Sequence, residues 1–156
     1  MIKLIEDNNV FEAIQFMKNY TIDNGEFYGF EYNEAVWIKY FLEIVEQQKH
    51  SPHYLAIGYY NKELKGFLTA QSYNNYYNNK YIMDVKDCIV NLQNKNNAYI
   101  VYKLFDSMIK HTKKYGGKHW RADSVRGESA SLRYGKLLVK RYNAKLNTSI
   151  RGIIGE

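Results

Sequence analysis

The sequence predicts an α/β (α+β) fold in which helices cover both faces of a central sheet, in the order β-α-α-β-β-β-α-β-α-β. Three observations carry that prediction. Strand-like stretches are grouped between residues 54 and 90, segments of helical apolar period flank them on both sides, and no repeat or linker interrupts the chain. The 156 residues are one domain's length, and 46% hydrophobic and 16% aromatic residues are enough to fill a core. Wholesale disorder is excluded.

Ile2 to Ile5 reads as a short strand, and Asn9-Val-Phe-Glu12 as a capping box that starts a helix with Val10, Phe11, Ile14 and Met17 at helical spacing. Asp23-Asn24-Gly25 closes it. A second helix spans Tyr32 to Lys49, with Trp37, Phe41, Leu42 and Val45 on one stripe, and Ser51-Pro52 ends it. Tyr54 to Tyr60, a turn at Asn61-Lys62-Glu63 and Leu64 to Tyr73 form the clearest hairpin. Asn74 to Asn79 is a polar loop tip, and Tyr76 and Tyr77 on it suit a protein contact. Tyr81 to Val90 alternates until Asp87-Cys88-Ile89-Val90, where a bulge fits. Asn97 to Tyr115 is the most secure helix, with Val101, Leu104, Phe105, Met108 and Ile109 on its apolar stripe and Gly116-Gly117 as its stop. Lys118 to Val125 is a strand, Ser129 to about Arg141 a helix and Lys145 to Ile154 a last strand.

Charge is unevenly divided. Residues 1–90 hold 8 Lys against 12 acids, and residues 91–156 hold 9 Lys and 5 Arg against 4 acids, within a total of +6. A basic second half suits an anionic partner, either a phosphate-bearing cofactor or a nucleic acid. One cysteine makes no internal disulfide, and four scattered histidines make no metal site. No secretory leader or membrane span is visible, so the expected location is cytoplasmic. The excess of Asn, Tyr and Lys points to an AT-rich genome, such as a low-GC bacterium or its phage.

Between the fourth strand and third helix stands Gln93-Asn-Lys-Asn96-Asn-Ala98. With the element order, this stretch resembles the GCN5-related N-acetyltransferase (GNAT) superfamily, whose loop at that junction reads Arg/Gln-x-x-Gly-x-Gly/Ala. The resemblance implies a GNAT-like mixed sheet and acetyl-CoA as a substrate. The amides of Gln93, Lys95, Asn96, Asn97 and Ala98 would hold its pyrophosphate, and Lys95 would supply a cation. Asn96 replaces the central Gly, a tolerable exchange because Asn visits positive φ. A polar loop capped by Asn97 is the plainer alternative. The resemblance places Cys88, Ile89 and Val90 along a pantetheine cleft, where strands four and five splay apart.

For catalysis, the resemblance implies a carboxylate for the amine and an acid for the departing thiolate. Asp84 and Asp87 are the carboxylates on the fourth strand, and Asp87 is the candidate base. Ala130-Ser-Leu-Arg-Tyr134 matches the Ala-x-x-x-Tyr that precedes a Gly-Phe pair in the family, which makes Tyr134 the candidate acid. In a second register Asn143-Ala144 takes the Gly-Phe place, and Val139 stands at the Tyr position. Three outcomes follow: acetyl transfer from acetyl-CoA to an amine; a catalytically silent GNAT-fold protein acting through a protein partner, for example in a phage virion; or nucleic-acid binding. The last would use Lys110, Lys113, Lys114, Lys118, Arg121 and Arg126 beside Tyr115 and Trp120.

Overall fold

A computed structural model of the chain describes residues 1–21, 33–74, 80–91, 94–122 and 128–145, with the backbone alone at 20–21 and 128–134. Its elements are β1 (Ile2–Leu4), α1 (Val10–Thr21), α2 (Glu34–Gln47), β2 (Tyr54–Asn61), β3 (Glu63–Asn74), β4 (Tyr81–Val90), α3 (Asn97–Lys114), β5 (His119–Ala122) and α4 (Glu128–Tyr142). The order matches the sequence reading as far as α4. After its first residue the expected last strand lies outside the described residues, as do Tyr76 and Tyr77.

The strands form one sheet in the order β1-β2-β3-β4-β5. Every neighbour is antiparallel except β4 and β5, which run parallel, so the sheet is mixed. Lys62, at φ 66, makes the tight β2–β3 turn. Between β3 and β4 the register slips: Thr69 pairs with Asp87 but Ala70 with Val85, so Lys86 is an extra residue. That bulge lies one residue before the expected break and reverses the phase of β4. Met83 and Val85 face α3 before it, whereas Cys88 and Val90 do so after it.

Each face has its own core. On the α1/α2 face the core joins Ile5, Phe67 and Ile89 to Met17 of α1 and Phe41 of α2, and on the α3 face it joins Leu68, Met83 and Val90 to Leu104 and Phe105 of α3. Leu138 and Tyr142 of α4 pack on the second cluster. Phe41, Phe67 and Phe105 are almost wholly buried, each contributing roughly 1.5–3 kcal/mol. Trp37 stacks on Phe41, with ring centroids 4.9 Å apart.

Three local expectations are corrected. Asn9 does not cap α1; its Oδ1 accepts from the Glu6 amide at 2.7 Å, bracing the β1–α1 turn. Glu12 reaches instead across to β3, where its Oε1 accepts from the Leu64 amide at 2.7 Å, beside the register shift in the β2–β3 pair. Leu42 is 42% exposed and Ile44 takes its place on the buried stripe of α2. The start of α2 is fixed by Asn33, whose side chain accepts from the Val36 amide.

Candidate functional site

The site is built around the second half of β4. The four residues of β5 pair with Ile82–Val85 of β4, and among the described residues Asp87–Val90 pair with β3 alone. The described pairing with β5 thus ends at Val85, beside the bulge, and the rest of β4 leads towards the start of α3.

That helix start leaves main-chain donors open. Asn94 takes the Asn96 amide on its side chain at 3.0 Å and the Asn97 amide on its carbonyl at 3.1 Å. No described group accepts from the amides of Ala98 and Tyr99. No acidic side chain occupies the first turn of α3, so the positive end of its dipole is uncompensated. Lys95 is exposed and makes no described ion pair. Asn96 holds the N-cap position at φ −97, with no side-chain cap bond. The left-handed backbone expected there is absent, so no glycine is required. Asn97 is the first helical residue and not its cap, and Gln93 lies outside the described residues.

Along β4, Ile89 and Val90 point to opposite faces and are buried in the two cores. What they can offer a ligand is main chain. Cys88 is half-buried against the α3 core. Asp87 sits immediately after the bulge on the α1/α2 face. Its Oδ2 accepts from the Thr69 hydroxyl at 2.7 Å and its Oδ1 from the Trp37 indole N–H at 3.4 Å. Burial pushes the carboxyl above the ordinary aspartate range, against the opposing bonds from Thr69 and Trp37 and the charge of Lys86.

Similarity to solved structures extends over the chain. A ribosomal-protein-alanine N-acetyltransferase from Brucella melitensis biovar Abortus 2308 aligns at TM-score 0.67 and 13% identity, covering 99% of both chains. Glucosamine-6-phosphate N-acetyltransferase from Arabidopsis thaliana aligns at 0.65 and 14%, covering 99% of this chain and 97% of its own. AAC(6')-Iy, solved with the bisubstrate analogue CoA-S-monomethyl-acetylneamine, aligns at 0.67 and 11%, covering 100% and 96%. The fold is that of the GCN5-related N-acetyltransferases. No family model and no curated protein matches the sequence.

Within the GNAT fold, α4 closes at Tyr142 and the next residue, Asn143, takes φ 50. Asn143-Ala144 thus ends the helix where the Gly-Phe pair of the second register would, and half-buried Val139 stands four residues before it. Tyr134 is on the same helix, one turn before Leu138 and two before Tyr142; these two pack on the sheet. Tyr142 is tied down: its hydroxyl donates to Asp106 Oδ1 at 2.7 Å, and Arg141 holds the other oxygen of that carboxylate.

Sequence reasoning missed the partners of the two strand carboxylates. Asp84 is 4% exposed and bound by Arg121 through Nε at 3.1 Å and a terminal nitrogen at 3.2 Å, with Lys86 Nζ at 2.7 Å. With Gln71, Ser72 and Tyr73 these groups line a shallow pocket; Asp84, three residues before Asp87 and across the bulge from it, faces the same side of the sheet. The signal for Thr69 was a polar residue inside the apolar run Phe67-Leu-Thr-Ala70, whereas Trp37 was read only as core. Arg126 of the basic cluster lies outside the described residues, and among the described ones Trp120 packs on Phe105 whereas Arg121 faces the other side of the sheet. Among the described residues no group of His, Cys, Asp and Glu could hold a metal, and no helix is long and apolar enough to cross a membrane.

Proposed function

We propose that the protein transfers acetyl from acetyl-CoA to an amine. The supporting observation is the juxtaposition of an acid-free helix start with a β4 whose described pairing to β5 ends at Val85, which suits a long ligand ending in a pyrophosphate. The amides of residues 93–98 together with that of Tyr99 hold the pyrophosphate with Lys95, those of Ala98 and Tyr99 first among the described ones. The main chain of Cys88, Ile89 and Val90 runs beside the pantetheine. The bisubstrate analogue in AAC(6')-Iy shows that a protein of this fold can take CoA and an amine together.

The amine enters from the pocket lined by Gln71, Asp84, Lys86 and Arg121, on the same face as Asp87. Its nitrogen attacks the thioester carbonyl, the C–N bond forms and the C–S bond breaks. Asp87 takes the proton from the amine, and its raised proton affinity brings it nearer the working pH, where a general base is most effective. Tyr134 gives a proton to the thiolate, so the products are an amide and a thiol. The acetyl group and CoA supply the activated thioester; this chain binds, orients and moves protons.

Calorimetry with acetyl-CoA tests the reading directly. The expected outcome is saturable binding, and a dissociation constant weaker than about 1 mM, worth about 4 kcal/mol, would sink it. If binding and thiol release are seen, unchanged turnover in Tyr134→Phe would remove that residue and leave solvent as the acid, the outcome implied by the register that puts Val139 at the Tyr position.

A further inference from the structure

Asp87 is held in an unusual way for a strand carboxylate: both its donors are neutral, and they come from two different layers. Thr69 lies on β3 directly opposite Asp87 in the register and is fully buried. Its branched side chain has few rotamers, so the hydroxyl is aimed by the backbone. Trp37 lies on α2, and its indole plane is set by stacking on Phe41 at 14° and by the Phe67 ring 6.3 Å away. The two bonds are unequal, 2.7 Å to Oδ2 and 3.4 Å to Oδ1. The charged neighbour is Lys86 on the same strand, and the groups facing Asp87 from β3 and α2 are the neutral Thr69 and Trp37. Holding a half-buried carboxylate against two neutral donors is costly, and a fold with no use for the charge would do better with an apolar residue.

We infer that Thr69 and Trp37 are positioning residues that clamp the Asp87 carboxylate from β3 and α2, leaving Oδ1, held among the described residues by the long indole contact, to accept the proton. This rests on the acetyl-transfer reading. Thr69 occupies Oδ2 with a short bond and fixes the carboxylate plane. Trp37 touches Oδ1 at the outer limit of a hydrogen bond, so that oxygen keeps most of its basicity. Neither residue touches substrate in this scheme. Each acts through the orientation and proton affinity of Asp87.

The indole contact also supplies a readout that needs no turnover. The chain has 2 tryptophans, so Trp120→Phe leaves Trp37 as the only indole, and its fluorescence, excited selectively over the 16 tyrosines, should report protonation of the carboxylate it touches. Titrated from about pH 3 to about pH 9, the emission is expected to show one inflection above the ordinary aspartate range of about 4. Asp87→Asn removes the inflection. Thr69→Val, which withdraws the short bond that favours the charged form, moves it to higher pH, and Thr69→Ser restores it. In thiol-release assays with acetyl-CoA and an amine panel, the acid limb of kcat/KM should move with the emission. Thr69→Val should lower kcat about tenfold at pH 7 while leaving the KM for acetyl-CoA in place. An inflection that survives Asp87→Asn, or one that Thr69→Val does not move, overturns the clamp. Failure of every amine to release thiol, with the fluorescence titration as expected, retires acetyl transfer and leaves the clamp standing.

Discussion

Two aspartates of this chain are linked to folding with opposite signs. Burial raises Asp87 above its unfolded value, so the folded state holds that proton more tightly, and stability falls as pH rises from the unfolded pKa through the folded one. At neutral pH the buried charge is therefore a net cost, and Asp87→Asn should raise Tm there, with the gain vanishing near pH 3. The same substitution should cut kcat by at least about 100-fold, the contribution of a general base. A Tm that falls at neutral pH would show that the bonds from Thr69 and Trp37 outweigh burial. Asp106 runs the other way. Burial pushes it up, but the bonds from Arg141 and Tyr142 outweigh that and hold it below the ordinary range. Its contribution is present above the unfolded pKa and is lost as pH falls through the lowered folded value. Tyr142→Phe, which removes a partly buried hydroxyl bonded to that carboxylate, should cost about 1 kcal/mol in denaturant melts.

At the scale of elements, the sheet and α3 meet at Gly66. A Cβ there would lie 2.7 Å from Val90 Cγ1, 3.0 Å from Ile100 Cγ2 and 3.0 Å from the Ile89 carbonyl oxygen. One carbonyl and two core side chains cannot all give way, so Gly66→Ala should destabilise by about 1–3 kcal/mol. Since Val90 is the nearest obstacle, Val90→Ala should relieve part of the strain, and a double-mutant cycle should give a favourable coupling; strict additivity would show that the Ile89 backbone is the real limit. The neighbouring bulge explains why this region was only partly legible in sequence. The alternation of Met83 and Val85 and its loss after Lys86 could be read, because an inserted residue shifts apolar positions by one. Asn9 and Glu12 misled for a different reason: the capping pattern is local, whereas the amide Glu12 serves belongs to Leu64, far along the chain. The candidate site divides similarly. Asp87 and the 93–98 loop announced themselves by residue type and position, but Thr69, Trp37 and the Arg121–Asp84 pair become partners only through the sheet register and the packing of α2.

Over the whole molecule, the uneven charge of the sequence becomes a polarity across the sheet. Helices α1 and α2 carry 2 Lys against 4 Glu, while α3 and α4 carry 8 Lys and Arg together against Asp106 and Glu128. Which part of that positive charge serves the proposed ligand is a question of distance. The exposed Lys110, Lys113 and Lys114 close α3, whose 18 residues span about 27 Å at 1.5 Å per residue. A charge some 20–25 Å from the helix start lies beyond two Debye lengths of about 8 Å at physiological salt, so it is screened from anything bound there. Lys95 stands at that start itself. Reversal of the distal cluster by Lys110→Glu, Lys113→Glu and Lys114→Glu together should therefore leave acetyl-CoA affinity within about twofold at about 0.15 M salt. Lys95→Ala alone should weaken it about three- to tenfold, an effect that shrinks as salt is added. Calorimetry on the two variants checks both. If the distal triple variant loses affinity as strongly as Lys95→Ala, the ligand is not confined to the helix start, and the anion site belongs along the length of α3.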